Sequence, residues 1–325
     1  MAKAQKLIPE FKDYLWGGNR LKAEYHKQSP FDITAESWEL SCHKNGLSRI
    51  LGGEYDGLTL PEAITRAKEK GEDWLGTACE RFEQFPVLIK LIDACDSLSI
   101  QVHPDDAYAK ENENGSYGKT EVWYIVDCEP DAELIYGFSR DVSKEELKTA
   151  IENNELSPYL NRVKVKPGDV FFVRAGLLHA IGKGILICEI QQNSDTTYRV
   201  YDWGRVGADG KPRELHIAKA VEVLKRRKET ITDFSAPKVL ETDGISEYQI
   251  ATCEYFKVKK REQEESSLIQ TTGDSFIALT FLNGEGMVSS SDGELCFTKG
   301  ETVFLPATEE SYTIKGKCEY LMTSV

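Results

Sequence analysis

Residues 166–180 read KPGDVFFVRAGLLHA. Pro167-Gly168 is a tight-turn pair, and the apolar run after it has the aromatic and β-branched content of a short strand. His179 follows that strand. Outward from this stretch the same pattern recurs in PVLIKLI (86–92), SLSIQV (97–102), EVWYIV (121–126), AELIYGF (132–138) and ILICEI (185–190). Many short strands separated by Gly, Pro, Asn and Asp predict a sandwich or a barrel.

Three segments read as helices. Pro61 opens one that continues through EAITRAKEK, at a position where its missing N–H costs little. Ser143 and Glu146 make a capping-box pattern ahead of ELKTAIENN. RELHIAKAVEVLKRR (213–227) places Leu215, Ala218, Val221 and Leu224 at helical spacing. Residues 228–246 are polar, contain a Pro and a Gly, and read as a linker. A second β unit of short strands follows, which gives domains at 1–230 and 231–325. KPGDVFFVRA (166–175) and KGETVFLPA (299–307) hint that the two units are related.

The 325 residues carry a net charge of −14. So acidic a surface disfavours nucleic acid and anionic membranes as partners. The N-terminus has no continuous apolar segment of the secretory kind. The eight cysteines form no C-x-x-C pair and read as free thiols in a cytoplasmic protein.

Gln101 and His103 sit at i and i+2 in SLSIQVHP, and Lys119 and Glu121 at i and i+2 in KTEVWYIV. Alternate residues of a strand share a face, so each pair projects into one space. With His179 they offer two imidazoles, a carboxylate and a carboxamide, a set that suits zinc and also iron, manganese or cobalt. His26, His43 and His216 lack such a setting and read as structural or surface residues. The stretch PDDAYAKENENGSYG (104–118) reads as a polar loop.

The segment KPGDVFFVRAGLLHA resembles the second signature of the cupin superfamily, and the first signature is present with Gln101 in place of one histidine. Together with FPVLIKLIDACDSLSIQVHPDD (85–106), GKTEVWYIV (118–126), LLHAIGKG (177–184), SDTTYRVYDWGR (194–205), LWGG (15–18) and ESWELS (36–41), it is similar to type I mannose-6-phosphate isomerase in its shorter bacterial form. The resemblance spans roughly residues 7–225. It implies a mainly β fold of two cupin (jelly-roll) barrels, with a small helical portion on the first and a degenerate, histidine-free second barrel. It also implies one zinc ion per chain on Gln101, His103, Glu121 and His179. Arg199 matches the catalytic arginine, Lys119 a lysine beside the zinc-binding glutamate, and Glu189 and Asp195 acidic positions lining the site. Ser99 and Arg205 fall at phosphate contacts. Val200-Tyr201-Asp202 follows Arg199 where the family often has Ala-Gly-Leu. The implied reaction interconverts mannose 6-phosphate and fructose 6-phosphate through an enediol, in a cytoplasmic monomer or homodimer. Two other classes stay open on the residues. One is a cupin iron(II) oxygenase using two His and one Glu, and the other is a non-enzymatic sugar-phosphate or carbohydrate binder.

Overall fold

The structure is a computed structural model and describes residues 4–325 except 154, 208–209, 243 and 292. Asn154, the last residue of the predicted ELKTAIENN helix, lies outside them. The chain forms two compact units. The first comprises Met1–Lys12, Asn19–Leu91 and Ala236–Val325, and the second Asp13–Gly18 and Ile92–Ser235. This division differs from a cut at residue 230, because residues 19–91 belong with the C-terminal strands.

In the first unit the described residues form an eleven-stranded sheet. Its connectivity explains the discontinuous chain. Gln5–Ile8 pairs with Thr302–Leu305 on one side (Gln5 opposite Phe304) and with Arg49–Leu51 on the other. Its core includes Leu279, Phe281, Phe297, Val303, Tyr312 and Tyr320, with the Phe281 and Phe297 rings stacked at 3.6 Å. Here Leu60–Glu69 is a helix capped by Thr59 and Glu62, with Pro61 in its first turn, as the sequence predicts.

The second unit holds every chemistry-bearing residue singled out above. Its strands are β1 (Ile100–Val102), β2 (Glu121–Cys128), β3 (Glu133–Phe138), β4 (Leu160–Lys164), β5 (Val170–Val173), β6 (His179–Ala180), β7 (Ile185–Gln192) and β8 (Tyr198–Tyr201). One sheet runs β4-β3-β6-β1-β8, and β5, β2 and β7 lie side by side in another. Ring contacts tie the two: Trp123 of β2 packs edge-on against His179 of β6 at 5.3 Å, and Tyr136 of β3 against Phe171 of β5 at 5.5 Å. The outer face of the first sheet carries Ile100, Val102, Leu178, Ala180, Tyr198 and Val200. They pack on two helices, α2 (Lys144–Glu152) and α3 (Ile217–Val223), numbered after α1 (Asp106–Asn112). Strand alternation then turns Gln101, His179 and Arg199 to the inner face.

The repeat is visible in both units. Gly168 and Gly300 each adopt positive φ (93° and 89°). In each turn the next acid is tied back across it, with Lys166 N donating to Asp169 Oδ2 and Thr298 N to Glu301 Oε2. Each turn feeds a four-residue strand.

Three expectations are corrected. The helix read over 213–227 is confined to Ile217–Val223, because the Arg213 side chain is held by Asp202 and Leu215 stays exposed. The loop read at 104–118 contains α1. Asp105 caps it by accepting from Tyr108 N, and the hydrogen bond from Tyr108 Oη to Glu222 fastens it. The linker read at 228–246 contains the unit boundary after Ser235, a strand at Lys238–Thr242 and the start of another at Ile245. Upstream of that boundary, Phe234 stacks on Phe171 at 4.1 Å.

Candidate metal centre

β1 ends in Val102, and His103 continues it into Pro104, so the imidazole sits where the strand breaks. β6 is only two residues long, and the register places His179 opposite Gln101 of β1 and Tyr136 of β3. Gln101 is in turn opposite Arg199 of β8. Directly opposed residues of antiparallel strands share a face. Across the gap, Glu121 of β2 is opposite Gln191 of β7, and Trp123 is opposite Glu189.

His103, Glu121 and His179 are buried and bring ligand atoms within 4.8 Å of one another. The two Nε2 atoms stand 3.1 Å apart. Glu121 lies 3.6 Å from the His103 Nε2 and 3.5 Å from that of His179. The Nδ1 atoms lie 2.9 Å from the carbonyls of Thr196 and Leu177 respectively. A carbonyl only accepts, so each ring carries its proton on Nδ1 and turns the Nε2 lone pair to the centre. Two lone pairs facing each other beside a carboxylate repel, and a cation between them relieves that repulsion. The donor set therefore fits a divalent metal ion. Burial drives the His179 pKa down to about 3, which keeps its ring neutral and able to ligate.

Lys119 lies against this cluster, with Nζ 2.5 Å from Glu121 Oε2, 3.3 Å from His103 Nε2 and 3.7 Å from Glu189 Oε1. The other Glu189 oxygen accepts from Trp123 Nε1 at 2.9 Å, so this carboxylate faces inward and is buried. Arg199 is half-buried and donates through Nη1 to Glu214 O at 2.8 Å. Burial, then Arg213, lower its basicity. Arg205 donates to Ser97 O at 2.6 Å and to Asp202 at 2.5 Å, and Arg213 makes a two-pronged contact with the same Asp202. Burial raises the Asp202 carboxyl, but the bonds from Arg213 and Arg205 outweigh it and leave the pKa below its ordinary value. Ser99 is buried just before β1, and Asp195 is exposed on the loop after β7.

Residues 4–154 match the type I phosphomannose isomerase catalytic domain, and residues 246–325 match the mannose-6-phosphate isomerase cupin domain. Mannose-6-phosphate isomerase ManA of Bacillus subtilis is 40% identical over 323 residues, covering 97% of this chain and 96% of the relative. The chain belongs to the type I phosphomannose isomerases. The mannose-6-phosphate isomerase of Streptococcus mutans is 37% identical over 99% of this chain and 98% of its own. The crystal structure of the Bacillus subtilis enzyme superposes with a TM-score of 0.89 at 38% identity, with complete coverage of both chains. Phosphomannose isomerase of Salmonella typhimurium in its apo form shares the fold at a TM-score of 0.77 and 21% identity.

Within this type I phosphomannose isomerase fold, some neighbours of the site escape a sequence reading. The Thr196 and Leu177 carbonyls that orient the imidazoles have no side-chain signature. Asp202 has a weak one, its i, i+3 spacing to Arg205. His216 reads in the sequence as a structural or surface residue. It stands against the Arg199 backbone, receiving Arg199 N on Nδ1 at 3.3 Å and giving its own N–H to Arg199 O at 2.8 Å.

Proposed function

We propose that this chain interconverts mannose 6-phosphate and fructose 6-phosphate at one divalent cation, zinc, held by His103, Glu121 and His179 with Gln101 as the fourth ligand. The observation that carries this reading is the pair of Nε2 atoms 3.1 Å apart beside the Glu121 carboxylate. Gln101 supports it by its register opposite His179.

An aldose–ketose isomerase moves a proton between C1 and C2 of the open-chain sugar, and negative charge develops on the neighbouring oxygens. A bound divalent cation supplies Lewis acidity to that carbonyl. The Lys119–Glu189 pair takes and returns the carbon-bound proton. Trp123 fixes one Glu189 oxygen, and Lys119 faces the other across 3.7 Å. Arg199 shares a sheet face with Gln101 and His179, and its guanidinium stabilises charge on the enediolate oxygens. Arg205 and Ser99 hold the phosphate, a task suited to a planar guanidinium and a hydroxyl, and Asp195 meets the sugar at the loop edge.

By role, residues up to 230 carry the chemistry, and 231–325 contribute no histidine. All eight cysteines are free, which supports a cytoplasmic setting. No helix among the described residues is long and apolar enough to cross a membrane. The sugar phosphate is the sole partner we assign, to a monomer or homodimer. A coupled assay started with mannose 6-phosphate, with glucose 6-phosphate in parallel and oxygen uptake monitored, tests this reading. Turnover of mannose 6-phosphate without oxygen consumption is expected. Oxygen uptake, or no turnover by the metal-loaded protein, would overturn it.

A further inference from the structure

The two metal-facing imidazoles are oriented in different ways. His179 donates to Leu177 O, two residues away, so its own chain sets its aim. His103 donates to Thr196 O, 93 residues away, so its aim depends on whatever holds Thr196. The loop Gln192–Thr197 is held by a set of directed hydrogen bonds. Gln191 is completely buried at the end of β7, opposite Glu121. Its Nε2 donates to Gln192 O at 2.8 Å and to Ser194 O at 2.5 Å. Both acceptors are carbonyls, so the amide has one orientation. Its Oε1 has no hydrogen-bond partner among the described residues.

Ser194 passes the constraint on. Its Oγ donates to Tyr117 O at 2.9 Å and accepts from Thr196 N at 3.3 Å. Gln192 anchors the start of the loop, accepting from Thr120 N at 2.8 Å and donating to Asp106 Oδ1 of α1 at 2.9 Å. These bonds are buried or part-buried, and they converge on the peptide whose oxygen accepts the hydrogen bond from His103 Nδ1.

We infer that Gln191 and Ser194 are positioning residues for His103: they lock the loop that presents Thr196 O, and so fix the tautomer and aim of a metal-facing imidazole. The inference rests on the cation-binding reading above and adds two residues that reading does not assign. Groups that orient a metal-ligating histidine typically change metal affinity about 10–100-fold when removed. Neither residue touches the sugar in this account, so the effect falls on the metal.

The test measures zinc affinity by chelator competition and the His103 ring nitrogens by 15N NMR of the zinc-loaded protein. The wild-type spectrum is expected to show a slowly exchanging proton on Nδ1 of His103. Ser194→Ala and Gln191→Met are each expected to weaken zinc binding by about 10–100-fold and to speed exchange of that proton. The His179 Nδ1 proton and the KM for mannose 6-phosphate at saturating zinc should stay near wild type. Ser194→Thr, which keeps the hydroxyl, is expected to restore affinity. A wild-type His103 without a proton on Nδ1 overturns the inference, and that arm needs no variant to fold. Wild-type affinity in both variants, with only thermal stability lowered, overturns it as well. A wild-type protein that binds no divalent cation removes the functional reading itself, which separates the two failures.

Discussion

His103 and His179 show how a site can be set by single atoms. Each imidazole gives one nitrogen to a carbonyl, and each is left with a lone pair directed at the same point. That His103, Glu121 and His179 could meet is foreshadowed in the sequence, since Gln101 and His103 sit at i and i+2, Glu121 opens an apolar run and His179 follows a Pro-Gly turn and a strand. The tautomers are not legible, because the acceptors are backbone oxygens brought in from elsewhere. Arg199 tests the chemistry at this scale. Arg199→Ala should leave zinc bound, measured by chelator competition, and lower kcat by about 10²–10³-fold, the usual cost of removing one oxyanion-stabilising donor. His179 tests the electrostatics. Its folded-state pKa is about 3, against an ordinary 6.5. The unfolded chain therefore binds the extra proton between those values. This contribution to apo-protein stability is fully present above pH 6.5 and is lost as pH falls towards 3. Urea unfolding of the apo protein at stepped pH should show a decline below pH 6.5 that is shallower in His179→Asn.

Elements that carry their own signals are legible. The capping box at Ser143 and Glu146 forms as read, with Glu146 N donating to Ser143 Oγ and Ser143 N to Glu146 Oε2. The strands β2, β3 and β7 start within a residue of their expected positions, because long apolar runs bounded by turn formers leave little choice. Helix α1 escapes notice because its support is tertiary. Asp106 accepts from Gly118 N and from the Gln192 amide, and Glu113 accepts from Lys219 and Tyr198. Helix α3 is over-read for the converse reason, since its apparent first turn is pulled away when Asp202 captures Arg213. The short β6 depends on a close approach invisible in any local pattern. A Cβ on Gly182 would collide with the Glu133 carbonyl oxygen, which is backbone and cannot swing aside. Gly182→Ala is expected to destabilise the protein by about 1–3 kcal/mol, as overpacking does, and to weaken zinc binding through displacement of His179. Thermal unfolding and chelator competition check the two parts.

At the scale of the molecule, the two β units and the likeness between their Gly-turn strands are visible in sequence, whereas the allocation of chain to units is not. Nothing local announces that Gln5 will pair with Phe304, or that Lys6 will bridge to Glu301 at 2.8 Å. The same unit buries Lys27 against Glu39 at 2.5 Å, and Glu39 also accepts from Thr302 Oγ1 at 3.1 Å. A chain ended at residue 230 would strip Gln5–Ile8 of one strand partner and Glu39 of a hydrogen bond. Such a truncation is expected to lose cooperative thermal unfolding, measured by calorimetry, even though every proposed catalytic residue is retained.

We propose that His103, Glu121 and His179, with Gln101, grip one cation in the second unit. A crystal of the zinc-loaded protein, measured on both sides of the zinc absorption edge, tests it most directly. A single anomalous peak per chain is expected, about 2.0–2.1 Å from both Nε2 atoms and about 2.0–2.2 Å from a Glu121 oxygen. A map with no peak between those side chains, or with its only peak elsewhere, would contradict it.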